Sequence, residues 1–443
     1  MKTSAALLAT LLLAAAGPAA PAEPAIDRET LTRPLPGLSA DDTERFLRGR
    51  SLFRQSWVIA PARDHEVDGL GPLYNRLACI SCHAKNGRGG APSRPEERMQ
   101  SMLVRLSVPG RKPGEAPRAH PVYGDQLNEE GIPGIPGEGR VQIRWRTHTV
   151  RLADGTRVEL REPRTTFVEL AYGKLGPVLT SLRVSPHVAG LGLLDAVPAS
   201  ALEAMAAEAQ PDGIRGSVNR VADRRTGALA VGRFGLKSNM PNLRQQIAGA
   251  FVGDMSITSE LFPDENCTPA QTTCRRAPHG GKPELSAAQL DDITFYVAHL
   301  APPPRRNDTA PEVVRGAAAF AGFGCAACHR PTLSSGDSPQ YPALAHREFA
   351  PYTDLLLHDM GPRLADGRPD HLAGGRQWRT APLWGLGALA AINEDVGFLH
   401  DGRARNIEEA ILWHGGEAEK ARQRYAGAPA ERRRALIAFL QSL

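Results

Sequence analysis

The sequence predicts a mainly α protein of two helical units, the first enlarged by a loop-rich insertion that holds a small β-hairpin. Three repeated patterns lead there. Cys-x-x-Cys-His occurs twice, as Cys79-Ile80-Ser81-Cys82-His83 and as Cys325-Ala326-Ala327-Cys328-His329. Each copy follows an Arg-Gly-x-x-x-Phe pattern, from Arg48 to Phe53 and from Arg315 to Phe320. Each unit closes on one apolar helical face: Ile293, Tyr296, Val297 and Leu300 match Leu436, Phe439, Leu440 and Leu443.

Length and composition agree with this. A chain of 443 residues exceeds what one hydrophobic core usually serves. Hydrophobic residues at 42% and charged residues at 23% exclude wholesale disorder and a polytopic membrane protein. Lys and Arg number 53 against 48 Asp and Glu, a formal +5 with no basic block, so no nucleic-acid partner is predicted. Residues 1–22 read as a cleavable leader, with Lys2, an apolar stretch from Ala5 to Ala16 and a small-residue site ending at Ala22. The mature protein is then expected in the periplasm. That stretch is too short to span a bilayer and nothing comparable follows, so no transmembrane segment is expected.

Along the chain, the Arg-Gly-x-x-x-Phe segments read as the helices that lead into each unit. Residues 108–121, rich in Pro and Gly, read as loop. Val141 to Leu160 alternates apolar and polar residues around Ala153-Asp154-Gly155-Thr156, which predicts the hairpin. Ser286 with Gln289 is a capping-box pattern that starts the first closing helix. Pro302-Pro303-Pro304 cannot continue that helix, which divides the chain into units of 23–304 and 310–443.

The cysteines carry the chemistry. Two thiols on one helical turn can form thioethers to both vinyl groups of a haem, and the adjacent His can ligate its iron. The motifs therefore predict two covalently bound haem c groups, at Cys79, Cys82 and His83 and at Cys325, Cys328 and His329, in two cytochrome c-like units. A redox disulfide or half a zinc site would not call for the following His, and neither pair sits in a βαβ pattern. Cys267 and Cys274 would most simply form a local disulfide in an oxidising compartment; two free thiols are the alternative.

Further motifs resemble a known family. Gly49-Arg50-Ser51-Leu52-Phe53, Asp68-Gly69-Leu70-Gly71-Pro72-Leu73, Gly232-Arg233-Phe234-Gly235, the run from Pro351 to Met360 and Leu399-His400-Asp401-Gly402-Arg403-Ala404 are similar to the bacterial di-haem oxidoreductases, often labelled thiol oxidoreductases. That family resembles the di-haem cytochrome c peroxidases and the di-haem enzyme that matures methylamine dehydrogenase. The resemblance implies a distal ligand of the second haem fourteen residues after His400, which is His414. Met360, His358, His371 or an open position are the alternatives. For the first haem it implies a distal pocket formed by the segments of Gln246 and Asp254, with Asp254 as acid–base and Met255 as packing or ligand. Leu236 stands where the family usually has an interhaem Trp, and Asp395 and Gly397 replace the residues that precede the family's calcium site, leaving calcium open.

The predicted function is peroxidase-like oxidoreduction, with electrons passing from the second haem to the first and a redox partner protein exchanging them with the second. The rivals are a di-haem electron relay without peroxide chemistry and a thiol oxidoreductase.

Overall fold

The computed structural model describes residues 26–443, and the predicted leader lies outside the described residues. The chain is not mainly α. Among the described residues 30% are helical and 17% extended, in eleven α-helices and six two-stranded sheets, which overturns the predicted class. The physical reason is that most strands here are two or three residues long, paired by the tertiary contacts of loop segments, and too short to leave a period in the sequence.

The repeated patterns form two similar helix pairs. Helix α1 (Ala40–Arg54) starts where the Ser39 side chain accepts from the Asp42 amide, and buries Phe46, Gly49 and Phe53. It crosses the helix Ala287–Ala298, whose start carries the Ser286 and Gln289 capping box. In the second half the helix Pro311–Phe323 crosses the C-terminal helix Ala430–Ser442. The repeated Gly marks both crossings. A Cβ on Gly49 would run into the Asp292 carbonyl, and one on Gly316 into the Ala435 carbonyl. Phe53 then meets Tyr296 at 5.4 Å between ring centroids, and Phe320 meets Phe439 at 5.3 Å. Gly316→Ala is expected to lower stability by about 1 to 3 kcal/mol through overpacking. A thermal melt at the wild-type midpoint would reject this account of the crossing.

The insertion supplies the longest strands. Strands β1 (Met102–Ser107) and β4 (Leu179–Val184) pair antiparallel over a cluster that includes Val104, Leu106 and Val184. Between them β2 (Arg140–Arg151) and β3 (Arg157–Val168) form the hairpin, longer than predicted and turning at Leu152 to Thr156. Its tip does not stay with its own half. Leu152 and Leu160 are buried in the second core with Trp413, Tyr425 and Leu436, and Arg433 reaches back to Asp154 at 2.9 Å. No described helix is long and apolar enough to cross a membrane.

Candidate functional site

Both Cys-x-x-Cys-His motifs sit on a tight turn. The His83 amide donates to the Cys79 carbonyl at 3.0 Å, and that of His329 to the Cys325 carbonyl at 2.9 Å. In each, the imidazole Nδ1 lies against a backbone carbonyl: Pro186 O at 2.7 Å for His83 and Tyr352 O at 2.9 Å for His329. A carbonyl can only accept, so Nδ1 carries the proton and Nε2 keeps its lone pair. Burial pushes both imidazoles down to about 4, which holds them neutral and ready to ligate a metal. None of the four motif sulfurs is in a disulfide, and burial raises all four as thiols, Cys79, Cys82 and Cys325 to about 12. Thiols kept so far from ionisation are poor nucleophiles for disulfide exchange.

The second motif opens on a cavity of about 260 Å³ with apolar walls that include Phe320, Leu386, Trp378 and Leu440. Cys325, Cys328, His329, Met360 and His414 line it. His414 follows the helix Ile407–Trp413, so its Nδ1 donates to Ala410 O at 2.7 Å and its Nε2 is also free. His329 and His414 are close enough for each charge to disfavour the other. His358 is engaged elsewhere: it lies between Asp354 at 2.8 Å and Glu417 at 2.7 Å, and despite burial these carboxylates help hold it protonated, pushed up to about 12. Cys328, Asp354 and His358 lie within metal-ligand reach of one another, but an imidazolium donates its protons and offers no lone pair. His371 does not line the cavity.

Two half-buried guanidiniums test whether this cavity suits a haem. Arg88 bonds only the carbonyls of Gly397 and Leu399, and Arg379 only those of Gly235 and Thr380. Neither has a carboxylate in ion-pair contact among the described residues, and burial pushes both down to about 10. Trp384 Nε1 and His187 Nδ1 are buried without a partner. All four residues line the cavity, and the propionates of a haem would give Arg88, Arg379 and the Trp384 N–H the acceptors they lack. The residues present therefore fit the group. Arg403 and Arg405 differ, being paired with Asp401 and Glu409.

The first site is built against helix α2 (Leu243–Met255), capped where Asn242 Oδ1 accepts from the Gln245 amide at 2.9 Å. Gln246, Ile247, Ala250 and Asp254 share one half-buried face while most of the helix is buried. Asp254 is within electrostatic reach of Cys79 and Cys82, which turns this face toward the first motif. Burial raises the Asp254 carboxyl, and Gln126 Nε2 donates to its Oδ1 at 2.7 Å, offsetting part of that rise. Gln246 lies on the same face about 12 Å up the helix axis. The amide beside Asp254 is thus that of Gln126, which sequence reasoning missed because it lies 128 positions away on another segment. Met255 is 3% exposed within the first core, so it packs. Cys267 and Cys274 form a disulfide with Cα atoms 5.6 Å apart.

A family model described as "Di-haem oxidoreductase, putative peroxidase" matches residues 25–443. No curated protein and no solved structure matches.

Proposed function

The chain belongs to the di-haem oxidoreductase family, and on that premise we propose that it is an exported, periplasmic c-type cytochrome with peroxidase-like activity. As a member it is an oxidoreductase carrying two haem groups. We assign one to the 23–304 unit, through Cys79, Cys82 and His83, and the other to the 310–443 unit, through Cys325, Cys328 and His329. Haem supplies one-electron transfer and, where an axial position is open, reduction of an oxidant such as peroxide.

The observation that carries the reading is the unlike surroundings of the two motifs. At the second, His414 lines the same cavity as His329 with its Nε2 free, and the two imidazoles would together hold the haem iron there. At the first, the α2 face offers Gln246, Ile247, Ala250 and Asp254, none of them an imidazole or a thioether. Electrons received from a partner protein at the second site would then pass to the first. There Asp254, with Gln126 on Oδ1, has Oδ2 to take the proton of an incoming peroxide and return it to the leaving oxygen.

His414→Ala tests this assignment. The ferric wild type is expected to show one low-spin and one high-spin haem and to be oxidised rapidly by peroxide once reduced. The variant is expected to convert the low-spin haem to high spin. Two low-spin haems inert to peroxide in the wild type would favour the relay, and an unchanged spectrum in the variant would remove His414 as the ligand.

A further inference from the structure

The segment Ser185 to Val188 is stitched to the first motif. Ser185 Oγ donates to Cys82 O at 2.7 Å, His83 Nδ1 donates to Pro186 O at 2.7 Å, and the Val188 amide donates to Asn86 O at 3.0 Å. The Gly89 amide also donates to Ser185 O at 3.0 Å. His187 does not join this ladder. It is 7% exposed and lines the other cavity, the one holding Cys325, His329 and His414. Two adjacent residues thus face opposite ways: Pro186 holds the proximal imidazole of one site, and His187 is part of the wall of the other.

From this we infer that Pro186 and His187 form the electron conduit between the two haem sites, a role that rests on the di-haem reading above. The connection is short. One hydrogen bond from His83 Nδ1 to Pro186 O leads through a single peptide unit to the His187 backbone and ring. In the transfer step one electron leaves the group held by His329, oxidising it, and arrives at the group held by His83, reducing it. No bond breaks and no proton moves. His187 Nδ1 is buried without a hydrogen-bond partner among the described residues, so no proton acceptor touches it to accompany the electron.

The aromatic alternative is weaker on its own geometry. With Leu236 in the position of the family's Trp, the ring on the strand next to it is Trp378, whose neighbour Arg379 donates its amide to Leu236 O at 2.9 Å. Lys237 Nζ sits 4.4 Å from the Trp378 centroid and pairs with Asp366, and Trp378 Nε1 donates to Leu364 O at 2.8 Å. An oxidised indole would carry positive charge beside an ammonium, with its N–H aimed at a carbonyl that takes no proton.

Laser-flash photoreduction of the holoprotein, followed by redistribution of absorbance between the two haems, reads the route directly. His187→Leu and His187→Asn are both measured, with haem content and midpoint potentials checked by spectroelectrochemistry. The expected result is slowing by about tenfold in His187→Leu, because a branched aliphatic group replaces the conjugated ring that reaches into the second site, at two haems per chain and unshifted potentials. His187→Asn serves where the Leu variant fails to load a haem. Wild-type rates in the loaded His187 variants, or slowing by Trp378→Phe alone, would overturn the route. A wild type that shows no redistribution at all would instead reject the di-haem electron-transfer reading on which it rests.

Discussion

Replacing Cys325 and Cys328 together by alanine is expected to unload the second haem and to destabilise the C-terminal half with it. The cavity between those residues and His414 is about 260 Å³ and mostly apolar, so its walls depend on an occupant for contact. At about 24 cal/mol per Å³, an enclosed void of that size would cost on the order of 6 kcal/mol, an upper bound for a cavity that opens partly to solvent. Arg88 and Arg379 add to the loss, since each is a half-buried charge whose described partners are backbone carbonyls only. Intact-mass measurement should show one haem per chain, and limited proteolysis should cut preferentially within residues 310–443. Two retained haems, or wild-type resistance to protease, would refute this.

Asp254→Asn is expected to cut the rate of peroxide reduction by about a hundred- to ten-thousand-fold while both haems stay bound, the range typical of a lost general acid–base. The pH dependence follows from the direction of the shift. Burial raises the Asp254 carboxyl above its ordinary 3.8, so the base form fills at higher pH than for a solvated Asp, and the rate rises with pH through that higher value. Gln126→Leu removes a donor that favours the carboxylate, so its rising limb moves to still higher pH; Asp254→Asn has none. Stability runs the opposite way. A folded pKa above the unfolded one contributes stability below pH 3.8 that is lost as pH rises through the folded value. Stopped-flow peroxide kinetics across pH checks these claims, and a profile unaltered in Asp254→Asn would remove Asp254 from the chemistry.

What could be read in the sequence was what repeats or is local. Gly49 and Gly316 announce the two helix crossings because a close approach admits no side chain there. Ser286 and Gln289 announce a helix start because the cap needs only neighbouring residues. The hairpin was visible from its alternation, though its strands run beyond the predicted ends, to Arg140 and Val168. The pairing of β1 with β4 was not, since it joins segments some eighty positions apart and depends on a shared core. The site divides in the same way. Cys79, Cys82, His83 and their counterparts are a contiguous pattern, and His414 was reached by a count from His400. Gln126, Arg88 and His187 have no such local signature; only the folded chain brings them to Asp254, to the cavity and to the wall between the two motifs.

The hairpin tip ties the order of synthesis to the order of assembly. Asp154 and Arg433 are 279 positions apart, so a ribbon translated early gains its packing partners only when almost the last helix has emerged. Contacts of such sequence separation form late, because closing a long loop must precede any gain from it. Until then Leu152 and Leu160 have no core to enter, and the nascent ribbon carries apolar side chains in water. A fragment ending at the proline run would leave the ribbon in that condition permanently, so the two halves mature as one interlocked body and not as separable modules.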